Sequence, residues 1–184
     1  MAPSKSIWLL LFMFPVLMQC TTLDDYDNQQ VQEALSDSAL SITESWDVSL
    51  SFLEYGKRKL ILTGSYARSE KSTQRVATDI AGPIDITIFD DSARVSTHVW
   101  ADSAVYLSKI ATFRLYGNVR VHTVDGKRLR SDYLQWERNE DKISTPEFVI
   151  FISPPDSIAA NGFFGNTDLT NYTLNEGGGT VIIN

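Results

Sequence analysis

Residues 115–136 read Leu115-Tyr-Gly-Asn-Val-Arg-Val-His-Thr-Val-Asp-Gly-Lys-Arg-Leu-Arg-Ser-Asp-Tyr-Leu-Gln-Trp136. Val119, Val121 and Thr123 fall on one side of an extended chain and Arg120 and His122 on the other, because successive strand side chains point to opposite faces. Asp125-Gly126 follows. Both residue types tolerate positive φ, so the pair predicts a two-residue hairpin turn.

The same period of two spreads outward from this stretch. Ile84-Asp-Ile-Thr-Ile88 and Val95-Ser-Thr-His-Val-Trp100 alternate, and helical spacing nearly vanishes after Trp46. Phe148-Val-Ile-Phe-Ile152 is apolar throughout, as expected of a strand covered on both faces. Turn signals stand at Asp90-Asp91-Ser92, Gly117-Asn118, Asn139-Glu140-Asp141, Pro154-Pro155-Asp156 and Gly177 to Gly179. Strands of about five to nine residues between them read as an all-β fold of antiparallel strands.

A longer period is superposed. Asp102, Asp132 and Asp168 each precede an aromatic residue by four places (Tyr106, Trp136, Tyr172), and Gly82-Pro83-Ile84-Asp85-Ile86 matches Gly117-Asn118-Val119-Arg120-Val121. Small units of successive strands cannot bury their own apolar faces, so neighbours must cover one another in a stack. A stack that does not close keeps unpaired strand edges, which a partner's strand can extend. The run Thr180-Val181-Ile182-Ile183 is the candidate docking edge.

Charge excludes one large class of partner. Lys and Arg number 16 against 23 Asp and Glu, a net −7, whereas nucleic-acid phosphates are bound by basic faces. Basic residues do cluster at Lys57-Arg58-Lys59 and Lys127-Arg128-Arg130. They serve either as solvated hairpin ends or as contacts to lipid phosphates.

The chain opens with one lysine, Lys5, and then an uncharged apolar run, Ile7 to Met18. Twelve residues rise only about 18 Å as a helix, short of the roughly 30 Å hydrocarbon core. An export leader is therefore the preferred reading of residues 1–20. Leu17-Met18-Gln19-Cys20 resembles a bacterial lipobox, whose cysteine becomes the lipid anchor, and Cys20 is the chain's single cysteine. An uncleaved anchor and plain secretion are the alternatives, and all three place the domain outside the cytoplasm. Residues 21–45 are acidic and read as a tether with a short helix around Gln29 to Leu35. Residues 46–184 form the β domain.

No arrangement of residues announces catalysis. One cysteine permits neither an internal disulfide nor a zinc cluster. His98 and His122 read as solvated strand residues, Gly64-Ser65 lacks the Gly-x-Ser-x-Gly frame, and the glycines at 177–179 do not open a helix. Asp90-Asp91 and Glu140-Asp141 read as solvated turn carboxylates. The expectation is a binding protein without metal or cofactor.

Residues 115–136, with Ile143-Ser-Thr-Pro-Glu-Phe-Val-Ile-Phe151 and Ala160-Asn-Gly-Phe-Phe-Gly-Asn-Thr-Asp-Leu169, resemble the repeat unit of OstA-like envelope proteins, and among these the LptC family. The resemblance covers about residues 46–183. It implies an open-ended, twisted β-jellyroll whose trough shelters lipopolysaccharide acyl chains. It also implies a place in the periplasm, anchored to the inner membrane. Lipid would arrive from an LptFG-type ABC transporter of the inner membrane and pass to an LptA-like periplasmic protein. Members of that family usually keep a transmembrane helix, whereas this chain reads as a lipoprotein. Alternation selects Ile84, Ile86, Ile88, Val119, Val121, Leu134, Trp136, Phe148 and Ile150 as trough-lining residues. The competing reading is a structural envelope lipoprotein that docks other proteins by strand addition.

Overall fold

A computed structural model describes residues 40–73 and 75–175, together with the backbone of 178–180. The leader, Cys20, the helix expected at 29–35 and Val181 to Ile183 lie outside the described residues. Ten strands follow in order: β1 (Ser41–Glu54), β2 (Lys57–Lys71), β3 (Val76–Phe89), β4 (Val95–Leu107), β5 (Thr112–Thr123), β6 (Arg128–Glu137), β7 (Lys142–Ser153), β8 (Asp156–Gly165), β9 (Tyr172–Leu174) and β10 (Gly178–Thr180). Strands β1 to β8 form one antiparallel meander; β9 and β10 both pair with β8. Ser41 to Ser45, expected in the tether, already pair with β2.

Most strands are longer than expected, because they run on through bends, and Gly117-Asn118 marks one of these. Register shifts interrupt the pairing at Thr63/Tyr66, Ala81/Ile84, Trp100/Ser103, Tyr116/Val119, Arg130/Gln135 and Thr145/Phe148. These shifts lie on neighbouring strands, so they form one continuous row across the sheet. A bulge bends its strand and increases the local twist. A row of them folds the sheet over along a line.

The residues in the row explain why it bends there. Gly82 sits on it, and a Cβ at that position would collide with the backbone oxygen of Asp102 on β4. Gly117 has φ +74 and would meet the Asp102 side chain, which accepts a 2.7 Å hydrogen bond from Asn118 Nδ2. Gly117-Asn118, expected as a turn, is therefore the mid-strand bend of β5. The repeat has the same origin: Asp102 and Asp132 are row positions of alternate strands, while Tyr106 and Trp136 follow on the stretch beyond. The Asp168 match is coincidental, since Asp168 lies in the loop after β8.

The folded sheet has two walls. Portions 48–54, 57–63, 84–89, 95–101, 119–123, 128–131, 148–153 and 156–161 form the first; the other portions of the same strands form the second. Phe52 of the first wall packs edge-on against Tyr106 and Phe113 of the second. Arg138 lies 4.9 Å from the Phe52 ring centroid, and the buried Thr97 hydroxyl donates to the Thr167 carbonyl at 3.1 Å. The walls are thus displaced along the sheet, β1 facing β4 and β5. Among the described residues no strand pairs with the outer edge of β1, and the inward positions of its start, Ser41, Thr43 and Ser45, are exposed and polar.

The hairpin at Asp125-Gly126 is present with a three-residue loop in place of the expected two. Gly126 N–H donates to Thr123 O, Thr123 N–H to Lys127 O, and Gly126 has φ +92. This is a turn followed by a left-handed glycine. Gly178 and Gly179, expected in a turn, pair with Ala159 and Ile158.

These contacts set graded costs. Gly82→Ala should destabilise by at least about 2 kcal/mol, because backbone must move, while Gly126→Ala, with open space around it, costs about 1 kcal/mol from the left-handed backbone alone. Thr97→Val should cost about 1–2 kcal/mol by stranding the Thr167 carbonyl, whereas Thr63→Val on the exposed surface changes little. Urea unfolding midpoints check all four; equal losses at Gly82 and Gly126 would contradict the row as the source of the bend.

Candidate functional site

Alternation within each wall gathers the inward side chains into one apolar seam. Ile84, Ile86, Ile88, Val119, Val121, Leu134 and Trp136 are all buried and belong to a single core cluster. Sequence reasoning did not single out Leu60, Leu62, Val99, Phe113, Leu115, Leu129 and Phe163, which complete the seam.

Phe148 and Ile150 are corrected. They lie on the outer face, 56% and 37% exposed, and Val149 and Phe151 occupy the interior positions. The run 148–152 is uniformly apolar, so it carries no phase of its own, and it is covered on one face only. Counting in twos from Ile143, which pairs with Trp136, reaches Val149 and Phe151. The cross-strand pairing, not the run itself, sets the phase.

The middle of the seam is closed. Tyr106 and Phe113 stack at 4.4 Å, and Phe113 and Trp136 at 5.4 Å. Between Ile88, Val99, Leu115, Val121, Leu134, Trp136 and Ile143 only about 10 Å³ remains, hardly room for one water. Within this apolar wall Trp136 Nε1 is buried without a hydrogen-bond partner among the described residues.

At one flank the seam opens into a cavity of about 450 Å³. Leu60, Ile88 and Trp136 give it an apolar floor, and Glu54, Lys59, Asp91, Arg138, Asp141 and Asp168 a charged rim. Lys59 hydrogen-bonds Asp91, which raises the lysine and holds the carboxyl below its usual range. Asp141 accepts from Thr167 Oγ1, yet desolvation pushes its carboxyl up. An apolar floor with a polar rim suits an amphiphile, whose two ends need different surroundings.

The histidines lie on the outer face. His98 stacks on Trp100, and His122 meets Trp100 edge-on at 5.0 Å. His122 is half-buried with Nε2 unpartnered, and burial together with Arg128 and Arg120 holds its ring below the ordinary imidazole range. Among the described residues no group of three or more His, Cys, Asp or Glu could hold a metal ion. No helix among them is long and apolar enough to cross a membrane. Of the expected docking edge, Thr180 ends β10, paired with Ser157.

No curated protein matches the chain. The family model described as lipopolysaccharide-assembly, LptC-related, matches residues 8–182. An open β-jellyroll with an apolar seam is the architecture the sequence resemblance implied, and the match spans nearly all of it. The chain belongs to the LptC-related lipopolysaccharide-assembly family, whose work is lipopolysaccharide transport.

Proposed function

We propose that the seam shelters the acyl chains of lipopolysaccharide as the lipid moves from an LptFG-type ABC transporter of the inner membrane to an LptA-like periplasmic partner. The observation that carries this reading is the continuous apolar inner face from Val48 to Phe163, opening at its flank into the amphiphilic cavity. Each methylene buried there contributes about 0.8 kcal/mol, so transfer needs no catalytic group. Acyl chains enter by parting the walls, exchanging wall-to-wall contact for wall-to-chain contact. The buried Trp136 N–H then meets an acceptor such as an acyl ester. Partners extend the sheet at its ends, β1 at one and the 180–183 run at the other. Cys20 anchors the chain to the inner membrane as a lipoprotein.

The closed middle of the seam favours a second reading, in which the roll is a filled scaffold that only docks envelope proteins through its edges. The two differ in what touches Val121 and Trp136. A photo-crosslinking residue at either position should capture lipopolysaccharide in cells, and one at Val105, on the outer face of the second wall, should not. Deleting residues 180–184 should abolish capture of the LptA-like partner while leaving the lipid adduct at Val121. Protein adducts at the edges with no lipid at either interior position would establish the scaffold instead.

A further inference from the structure

Arg120 of β5 and Arg128 and Arg130 of β6 have no role inside the seam. Arg120 pairs directly with Arg130 across the strands, and His122 with Arg128. All three arginines are exposed and none forms an ion pair among the described residues. Most other cations of the domain with a defined contact are neutralised locally: Lys59 by Asp91, Lys127 by Asp125, Lys142 by Glu140, Arg75 by Asp79 and Arg94 by Asp90. In a chain of net charge −7, like charges set opposite one another oppose sheet pairing and await an anion from outside.

Apolar side chains flank them on one side. Arg120 lies over the Trp100 ring at 5.7 Å, Arg130 pairs with Ile150, and Phe148 is the exposed aromatic next along that strand. A groove of about 610 Å³ runs against Arg120, Arg130, Phe148 and Ile150. Three carboxylates also line it, Asp102, Asp132 and Glu147, Asp102 already accepting from Asn118, so an ammonium can sit beside a phosphate there. Guanidinium groups flanked by exposed aromatic and aliphatic side chains match the boundary of a bilayer, where phosphates overlie the first methylenes.

We infer that this outer face docks on the phosphate-bearing headgroups of a phospholipid bilayer, Arg120, Arg128 and Arg130 binding phosphate while Phe148 and Ile150 enter the acyl boundary. The contact is separate from the seam, because Trp100, Arg120 and Arg130 alternate with the inward Val99, Val121 and Leu129. It lays the first wall against the membrane and leaves the interior for cargo.

The test uses the full chain with a photo-crosslinking residue at Phe148, mixed with vesicles of phosphatidylglycerol and phosphatidylcholine, of phosphatidylcholine alone, or with lipopolysaccharide micelles. Phosphatidylglycerol adducts are expected. The double change Arg120→Gln with Arg130→Gln should lower their yield at least about fivefold, as should high salt. Interior capture of lipopolysaccharide at Val121 and the unfolding midpoint should both be retained. Equal yields with and without the arginines, preferential lipopolysaccharide adducts at Phe148, or no lipid adduct there would each overturn the proposal. Because the two photo-crosslinking positions lie on opposite faces, failure at Phe148 leaves the seam reading standing, and failure at Val121 leaves this one.

Discussion

Everything in this molecule depends on the strands bending together along one line. A single antiparallel meander has one apolar face and normally needs a second layer to cover it. Here the row through Thr63, Gly82, Asp102, Gly117, Asp132, Thr145 and Gly162 turns the sheet back on itself, so the same strands supply both layers. Close approach of backbone to backbone at Gly82 and Asp102 is what permits the bend. Because the walls are displaced along the sheet, the first strand cannot be fully covered, and an open end follows from the geometry of closure.

The walls are joined chiefly by apolar contact. Specific polar links between them are few among the described residues, the Thr97–Thr167 hydrogen bond and the Arg138–Phe52 contact being the clearest. Dispersion and burial are indifferent to whether a methylene belongs to leucine or to a fatty chain. In the proposed function this makes exchange of one for the other a step of small net cost. The rim holds the Lys59–Asp91 pair where the walls meet solvent, while Arg120, Arg128 and Arg130 lie on the outer face without an ion pair among the described residues.

Several features were legible in the residues alone. The alternation of Ile84, Ile86 and Ile88, and of Val119 and Val121, marked the inner face correctly, and Asp125-Gly126 marked a real hairpin. Of the longer recurrence the first pair holds: the short turns Ser108–Ile110 and Arg138–Glu140 close on the left-handed Ala111 and Asp141, while the Asp168 match does not. Gly117-Asn118 misled because a glycine tolerant of positive φ serves a turn and a bulge equally well. Phe148 and Ile150 misled because an apolar residue on an outer surface looks the same in sequence as one in a core.

What the sequence by itself determined was local: which segments extend, where two faces separate and where the chain can reverse. These follow from the alternation of side chains and the steric freedom of glycine, which act within a few residues. Tertiary structure alone decided that glycines and aspartates distant in the chain align into one bend, which phase of β7 faces inward, and that Arg120 and Arg130 meet without a counter-ion. Those outcomes rest on cross-strand register and on wall-to-wall burial, which couple residues far apart in the chain and leave no mark in any single window of it.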